Sequence, residues 1–265
     1  MEEEYRMIVV EHLSRKYPCL GANKKDFISV NDVSFSLLPN TSYALVGESG
    51  SGKSTLSMML SAIIPPSNGT IHFNNKNIWS MTKEEILIMR KNVQLVLQDS
   101  SGALDPKKTI IDSLYEPLHK LCNLTKSEIY STIISTLVKM ELPESVLSKY
   151  PHELSGGQQS RVCIARAICV EPKYIIFDES VSGLDATVRK KILDLLIEIR
   201  KQRKITYLFI THDIDVALYM ASHIFVMKGG KIIEEISNAT SYDSFHGEYS
   251  RELIASLPPD TPYGR

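Results

Sequence analysis

The chain has 265 residues, of which 43% are hydrophobic, and its 30 basic side chains balance 31 acidic ones. This composition excludes a disordered chain, and it excludes binding to nucleic acid or to an anionic membrane through net charge alone. Its length allows one large domain, or a domain with a smaller lobe.

The cysteines and the hydropathy indicate which further classes of protein are excluded. Four scattered cysteines without a CxxC pair favour reduced packing residues over a disulfide framework or a zinc site. They are Cys19, Cys122, Cys163 and Cys169. No apolar run approaches the roughly 20 residues that span a bilayer, and the acidic residues 2–4 are unlike a signal peptide. Any membrane role is therefore expected to come through a partner.

The N-terminal part of the chain predicts strands. Residues 6–38 alternate apolar and polar side chains in several stretches, and residues 69–73 continue that pattern. Alternation with a period of two is typical of half-buried antiparallel strands. We expect these strands to flank the next feature, a glycine-rich loop.

Residues 47–55 read Gly-Glu-Ser-Gly-Ser-Gly-Lys-Ser-Thr and match a phosphate-cradling loop. The loop follows an apolar strand, residues 43–46. It precedes a helix whose predicted inward face is Leu56, Met59, Leu60, Ile63 and Ile64, before two prolines end it. A Gly/Ser turn with an accidental lysine would not require this context, so we predict a nucleoside triphosphate site.

Each residue type in the loop has a chemical reason. Glycines let backbone N–H groups turn inward around a phosphate, Lys53 adds a mobile cation, and Ser54 offers a hydroxyl to Mg²⁺. The predicted nucleotide-binding residues of the loop are Gly47, Ser49, Gly50, Ser51, Gly52, Lys53, Ser54 and Thr55.

The rest of the chain predicts a helical lobe and then a parallel sheet. From about residue 80 to residue 169 the pattern is mostly helical, and one helix face is formed by Ile129, Ile133, Ile134, Leu137 and Val138. Residues 174–177 and 205–210 are apolar runs separated by a helix, which is the rhythm of a buried parallel sheet. Residues 224–233 predict a hairpin that turns at two glycines.

Asp178 and Glu179 follow the first of these apolar runs. Ligands of open α/β sheets gather at the carboxyl ends of the strands. Adjacent side chains of a strand point to opposite faces, so the two carboxylates need not share one task. A solvated acidic pair is the alternative. We assign Asp178 to magnesium, through water, and Glu179 to polarising the attacking water.

A second anion site is predicted before a helix with an apolar face. The segment consists of Leu154, Ser155, Gly156, Gly157 and Gln158. Its serine and glycine amides would lie at the positive end of the helix. Read alone, such a segment is more often a simple helix cap. Its position some twenty residues before Asp178 favours the functional interpretation.

With these three motifs in this order, the chain resembles the ATP-binding subunits of ABC transporters, and residues 154–158 match the signature sequence of that family. The resemblance implies an α/β P-loop NTPase fold with a mixed or parallel RecA-like core, an N-terminal antiparallel β subdomain and an inserted helical subdomain. The nucleotide-binding domain would span residues 1–240, with the helical lobe at about 98–169, and residues 241–265 would form a short C-terminal extension.

The resemblance also implies roles for weaker signals. Gln98 matches the glutamine-loop residue, Asp185 lies in the match to the D-loop, and His212 matches the switch histidine. Tyr17 is similar to the aromatic residue that stacks on adenine, and Phe27 is the alternative. Catalytic roles would fall to Glu179, His212 and Gln98.

Family resemblance implies the cofactors and a mechanism of pairing. The cofactors would be ATP and Mg²⁺, with Ser54, Gln98 and Asp178 as the metal-site residues. Two such domains would pair head to tail, so that each ATP lies between one phosphate loop and the signature segment of the partner. ATP would favour the closed pair and ADP the open one.

Several segments resemble the importers of oligopeptides, dipeptides and nickel. Residues 150–153 before the signature lack the lead-in typical of exporters, and residues 98–109 resemble the segment after the glutamine loop in this group. By resemblance, the stretch from Gln98 to about residue 115 would contact a transmembrane subunit. The C-terminal segment also resembles the C-terminal extension of this group. The residues that carry this resemblance are His246, Tyr249, Ser250, Arg251, Leu253, Ile254, Leu257 and Pro258.

Departures from the group bear on the cargo. Ser180 and Val181 stand where peptide importers usually carry proline followed by threonine or isoleucine, which is closer to the nickel type. Nickel or a metal chelate is therefore slightly preferred over oligopeptides. Without a cysteine-rich tail, no iron–sulfur cluster is expected.

The implied partners are a second and different ATPase subunit, two transmembrane permease subunits and an extracytoplasmic substrate-binding protein, with no nucleic acid. The implied location is the cytoplasmic face of the cell membrane, where the chain would be peripheral through its transmembrane partners. Two alternatives stay open, a soluble ABC-family ATPase that acts without a channel and a regulatory cassette that binds ATP without hydrolysing it.

Overall fold

The computed structural model of the protein describes residues 7–18 and 26–256. Cys19, Leu257 and Pro258 lie outside these residues. The strands are β1 (Ile8–Tyr17), β2 (Phe27–Leu37), β3 (Ser42–Val46), β4 (Asn68–Phe73), β5 (Lys76–Asn77), β6 (Val93–Val96), β7 (Tyr174–Asp178), β8 (Thr206–Thr211), β9 (His223–Lys228) and β10 (Lys231–Ser237).

The helices interrupt this series mainly between β5 and β9. The α-helices are α1 (Lys53–Leu60), α2 (Lys83–Asn92), α3 (Ser100–Ala103), α4 (Ile110–Leu121), α5 (Lys126–Lys139), α6 (Gly156–Ile168), α7 (Ala186–Arg203), α8 (Ile214–Met220) and α9 (Glu248–Ala255). Short 3₁₀ turns occur at Ile78–Ser80, Glu144–Val146, Pro151–Glu153 and Tyr242–Ser244. Within residues 7–18 and 26–256, no helix has the length and hydrophobicity needed to cross a membrane.

The strands form two sheets. The first is antiparallel in the order β2-β1-β4-β5, and the second has the order β10-β9-β3-β8-β7-β6. In the second sheet β9, β3, β8, β7 and β6 are mutually parallel, and β10 adds an antiparallel edge. The predicted antiparallel N-terminal strands, parallel core and C-terminal hairpin are therefore confirmed.

Hydrophobic residues of the mixed sheet alternate between two cores. Tyr43 and Leu45 face a core shared with α1 and the antiparallel sheet, whereas Ala44 and Val46 face a core shared with the helices α4 to α8. Both faces of β3 are buried, as expected for a central strand of a parallel sheet. Because β3, β8 and β7 are parallel, the carboxyl ends of β3 and β7 lie at the same edge of this sheet, which is packed on both faces.

Helix α1 is shorter than predicted. It ends at Leu60, after which Ala62 adopts a left-handed φ of 53°. The N–H groups of Ala62 and Ile63 donate to the carbonyl oxygens of Met59 and Met58, which is a Schellman ending. The prediction that Ile63 belongs to the inward face is wrong, because this reversal leaves Ile63 56% exposed.

The apolar face predicted for α5 is one residue too wide. Ile129, Ile133 and Leu137 are buried, and Ile134 packs at the edge of the same core. Val138 is 70% exposed, so its assignment to the inward face is wrong. It follows Leu137 by about 100° around the helix, which turns it toward solvent.

The C-terminal residues pack on the core of the domain. Phe245 is buried among residues of the helical core, and Tyr249 and Ile254 of α9 pack against the same cluster. The boundary between residues 1–240 and 241–265 stays a prediction. In the described part of the chain, Cys122, Cys163 and Cys169 form no disulfide bond, and the last two are buried packing residues.

Candidate functional site

The phosphate loop joins the carboxyl end of β3 to the first turn of α1. Two of its glycines lie against other backbone atoms. A Cβ added at Gly47 would come 2.2 Å from the carbonyl oxygen of Met227, and one at Gly52 would come 2.1 Å from that of Ser29. Gly52 also has a φ of 106°, which other residues adopt at a cost. The loop thus needs glycine at both positions to fit between β2 and β9.

Lys53 folds back onto this loop. Its ammonium donates to the carbonyl oxygens of Gly47 and Glu48, both at 2.8 Å, and only 4% of the residue is exposed. Burial lowers the pKa of the ammonium, while the carboxylates of Glu179 and Asp178 oppose this shift. The cation is therefore held at the loop and can exchange a carbonyl oxygen for a phosphate oxygen without leaving the site.

Asp178 ends β7 and accepts two hydroxyl donors from α1. Ser54 Oγ donates to Oδ1 at 3.1 Å, and Ser57 Oγ donates to Oδ2 at 2.8 Å. The residue is 2% exposed, and this burial raises the pKa of its carboxyl group, whereas the two hydroxyl groups oppose the shift. A buried carboxylate beside Ser54 is a suitable place for a hard cation.

Sequence reasoning did not identify Ser57 as part of this site. Its Oγ contacts the same carboxylate as Ser54 because residues three apart lie on the same face of a helix. That spacing was the available signal. A single serine among apolar residues carries no motif of its own, so the sequence does not mark Ser57 as a site residue.

Glu179 lies between the two weaker predicted residues. Gln98 Nε2 donates to Glu179 Oε2 at 3.0 Å, and His212 Nδ1 lies 3.4 Å from the same oxygen. The Glu179 backbone is left-handed, with a φ of 46°, and its N–H donates to the Ile210 carbonyl oxygen at 2.9 Å. A non-glycine residue in this conformation is strained, a condition that often accompanies functional sites. The Glu179 carboxylate thus contacts Gln98 and His212, whereas that of Asp178 contacts Ser54 and Ser57.

A cavity of about 340 Å³ lies at the phosphate loop. Its walls are formed by the phosphate loop and the start of α1, together with Phe27, Ser29, Gln98 and Glu179. The structure thus brings together the loop, Lys53, Ser54, Thr55, Gln98 and Glu179, and Asp178 lies behind Ser54.

The two aromatic candidates for adenine stacking face each other across a strand pair. Tyr17 of β1 is in register with Phe27 of β2. Phe27 is 54% exposed and lines the cavity. Arg15 covers one face of Tyr17, with its guanidinium carbon 4.8 Å from the ring centroid. Among the described residues that line the cavity, Phe27 is present and Tyr17 is not, so the geometry favours Phe27.

The signature segment caps α6 and lies apart from the cavity. Ser155 Oγ accepts the Gln158 N–H, and Gln158 Oε1 accepts the Ser155 N–H, which forms a capping box. Leu154 is buried, whereas Ser155 and Gly156 are exposed. A Cβ added at Gly156 would have no heavy atom within 4 Å. The described part of the chain does not bring this segment to its own phosphate loop.

Asp185 likewise caps a helix. Its carboxylate accepts the N–H of Val188 at 2.9 Å at the start of α7. Nearby, Arg189 binds Asp213, the neighbour of His212, at 3.0 Å. His212 is thereby linked through its neighbour to α7, the helix that follows Asp185.

The chain is similar to several known proteins. Residues 30–182 match the family described as ABC transporter. The chain is 40% identical to the metal-staphylopine import system ATP-binding protein CntF of Staphylococcus aureus, over 94% of this chain and 98% of that protein. It is 35% identical to the glutathione import ATP-binding protein GsiA of Escherichia coli K12, over 96% of this chain but only 41% of GsiA. The chain therefore spans less than half the length of GsiA.

Solved structures give the same architecture. The ATP-binding cassette MJ0796, seen as a dimer in a post-hydrolysis state with ADP and Pi, has a TM-score of 0.79 and 26% identity, over 87% of this chain and 98% of that chain. The protein cbiO1 from Clostridium perfringens, part of the ABC transporter complex cbiONQ, has a TM-score of 0.73 and 29% identity, over 95% of each chain.

Proposed function

This chain belongs to the ABC transporter family, and we propose that it is the ATP-binding and ATP-hydrolysing subunit of an importer. One observation carries the proposal. Lys53 of the phosphate loop, Gln98 and the adjacent pair Asp178 and Glu179 come from three segments of the chain and meet at the loop. A cation for phosphate, a buried carboxylate for a metal and a carboxylate for water are the parts that phosphoryl transfer to water requires.

Glu179 is the proposed general base. It accepts a proton from the water that attacks the γ-phosphate, and the bond from the γ-phosphorus to the bridging oxygen breaks to leave ADP and phosphate. Gln98 and His212 both approach Glu179 Oε2, at 3.0 and 3.4 Å. They therefore orient the carboxylate and the water between it and the nucleotide.

The donor set beside the loop fits Mg²⁺. Asp178 and Ser54 supply oxygen atoms in contact with each other, and Gln98 can supply its amide oxygen. Mg²⁺ prefers such hard ligands and usually takes few of them from the protein, keeping water and phosphate oxygens for the rest. When bound, it would neutralise charge on the β- and γ-phosphates.

A second ATPase subunit completes each site in this proposal. Ser155 and the glycines at positions 156 and 157 lie at the N-terminus of α6, away from the cavity of their own chain. Exposed N–H groups at a helix N-terminus suit a phosphate supplied by another subunit. The dimeric state named for MJ0796 supports this arrangement. The partner is expected to be a different chain.

For cargo, we propose nickel or a metal chelate ahead of oligopeptides. The relative that matches over nearly its whole length is named for metal-staphylopine import, which supports the chelate, while the GsiA proteins are named for glutathione import, which supports a peptide. The chain would act at the cytoplasmic face of the membrane with two permease subunits and an extracytoplasmic binding protein.

The catalytic part is tested by substitution of Glu179 and Lys53. Glu179→Gln is expected to lower the ATPase rate about 10²- to 10⁴-fold while ATP still binds, because only the base is removed. Lys53→Ala is expected to weaken ATP binding as well. Tyr130→Phe, which removes a phenol hydrogen bond to Glu144 on the helical lobe, is the control. Full activity of Glu179→Gln would contradict the assignment.

The importer part is tested by isolating the subunit from detergent-solubilised native membranes and identifying its partners by mass spectrometry. Two polytopic subunits, a second ATPase and a binding protein are expected. That binding protein would then be titrated with nickel, a metal chelate and peptides. Recovery without any membrane protein would instead favour a soluble ABC-family ATPase.

A further inference from the structure

The C-terminal helix α9 contacts the phosphate loop. Tyr249, in its first turn, accepts the backbone N–H of Glu48 at its phenol oxygen, at 3.2 Å. Tyr249 is 201 residues away from Glu48 in the chain, so this contact is purely tertiary. It brings a segment outside every motif of the nucleotide site into hydrogen-bond contact with that site.

The bond acts on the same peptide group that holds Lys53. The Gly47–Glu48 peptide donates its N–H to Tyr249, and its carbonyl oxygen accepts the Lys53 ammonium at 2.8 Å. A peptide that donates on one side becomes a better acceptor on the other, because hydrogen bonds in series polarise one another. Tyr249 and Lys53 are thus coupled through one rigid plane.

The ring of Tyr249 is itself held in place. The Lys228 ammonium lies 4.1 Å from the ring centroid, and the same ammonium is 4.0 Å from a carboxylate oxygen of Glu252 on α9. Cation–ring contacts of this kind favour a fixed ring position. Lys228 ends β9, so the ring lies between the C-terminal hairpin and the loop.

Helix α9 is anchored by a carboxylate on the edge strand β10. Glu234 accepts the backbone N–H groups of His246 at 2.7 Å and Gly247 at 3.0 Å, and it also accepts the Ser250 hydroxyl. Ser250 is fully buried. Three hydrogen bonds to one carboxylate fix the start of α9, and with it the position of the neighbouring Tyr249.

We propose that Tyr249 is a positioning residue for nucleotide binding, which fixes the Gly47–Glu48 peptide and so preorganises the phosphate loop around Lys53. A loop that is already ordered loses less entropy when a nucleotide binds. The proposal rests on the proposed function, because it assumes that the loop binds ATP. It adds the C-terminal extension to the nucleotide site.

The test compares Tyr249→Phe with the unmodified full-length chain. The substitution keeps the ring over Lys228 and removes only the phenol hydroxyl group, which accepts the Glu48 N–H. Loss of a single hydrogen bond is expected to raise the dissociation constant for Mg·ADP, measured by calorimetry, about 2- to 10-fold. In the assembled transporter, the KM for ATP should rise by the same factor, with kcat at saturating ATP unchanged within about twofold.

Tyr242→Phe is the matched control. Its phenol binds Asp215 on α8, so the variant loses a hydrogen bond of the same extension at a different place. Hydrogen exchange at the amide of Glu48 gives a second readout, and it should accelerate in Tyr249→Phe and not in Tyr242→Phe.

Three results would count against these ideas in distinguishable ways. Unchanged or tighter Mg·ADP binding by Tyr249→Phe overturns the positioning role. An equal loss in Tyr242→Phe overturns it too, because a general loosening of the extension would then explain the effect. Failure of the unmodified chain to bind Mg·ADP would overturn the proposed function itself.

Discussion

Asp178 and Glu179, two adjacent residues at the end of β7, lie in different surroundings. Asp178 is buried between the hydroxyl groups of Ser54 and Ser57, whereas Glu179 turns away toward Gln98. The left-handed backbone at Glu179 takes this residue out of the regular strand that ends at Asp178. At the scale of single residues, the two members of one acidic pair therefore have different contacts, which suits the separate metal and base roles proposed for them.

Asp178→Asn is expected to stabilise the nucleotide-free protein while removing its response to nucleotide. Burial raises the pKa of Asp178, so the ionised carboxylate carries a cost in the folded state at neutral pH. A gain of about 1 kcal/mol would raise Tm by about 2–4 °C in a chain of this size. Mg·ATP at 100 times its Kd should stabilise the unmodified protein by about 2.7 kcal/mol and the variant far less.

Thermal unfolding with and without Mg·ATP measures both effects, with the exposed Asp243→Asn as control. The pH dependence has a definite sign. Because the folded pKa of Asp178 is raised, its cost is present above that pKa and disappears as the pH falls through it. The advantage of Asp178→Asn should therefore shrink in acid. A variant less stable than the unmodified chain at neutral pH would contradict this account.

Four α-helices begin with the same device. The N-cap residues Thr82, Thr109, Thr125 and Ser155 each form a capping box with the residue three positions later. Such boxes satisfy N–H groups that the helix itself leaves unpaired. At the scale of the element, the signature segment forms the capped start of α6. Its proposed role in phosphate binding comes in addition to this structural role.

Ser155→Ala and Thr125→Ala separate the two tasks. Each variant loses one N-cap side chain and should cost about 1 kcal/mol of unfolding free energy. Only Ser155→Ala should also lower the ATPase rate of the assembled transporter, because only Ser155 is proposed to contact the partner's γ-phosphate. Denaturant unfolding and ATPase assays measure the pair. Equal activities would indicate that Ser155 is a cap alone.

At the scale of the whole molecule, the fold places the phosphate loop between other elements of the chain and leaves the start of α6 exposed at a separate place. The loop is held between β2, β9 and α9, while Ser155 and Gly156 face solvent. In the proposed pairing, one chain therefore contributes two halves of a nucleotide site, which lie at separate places on its surface. A head-to-tail pair would bring the halves together, so nucleotide affinity and subunit association should be linked.

Gly156→Asp is expected to abolish ATP-dependent pairing without harming the single chain. A Cβ at Gly156 has open space around it, and a carboxylate in the first turn of α6 suits the helix dipole. The same charge would repel a phosphate from the partner. Size-exclusion chromatography with light scattering, in the Glu179→Gln background with ATP and the partner ATPase, measures the pairing.

Ser127→Asp is the control for this prediction. It adds the same charge in the first turn of α5, which also follows a capping box. Pairing should survive in this variant. If Gly156→Asp paired normally, the proposed contact between signature segment and phosphate would be wrong.

Motifs with strict local geometry could be predicted from the sequence. The phosphate loop, the strand that ends in Asp178 and the cap at Ser155 depend on neighbours in the chain, so their residue types reveal them. The ending of α1 could not be read in this way. Ile63 continued the apolar spacing, but Ala62 reversed the backbone before the prolines, and alanine carries no signal for a left-handed conformation.

The order of the elements, the resemblance to ABC ATPases and the residues of the phosphate loop can be predicted from the sequence, because these features depend on local spacing and residue chemistry. Which distant groups meet depends on the tertiary structure. Ser57 joined Asp178, Phe27 rather than Tyr17 lined the cavity, and Tyr249 reached the peptide that holds Lys53. Such contacts arise from the packing of sheets and helices that are far apart in the chain, and no local pattern encodes that packing.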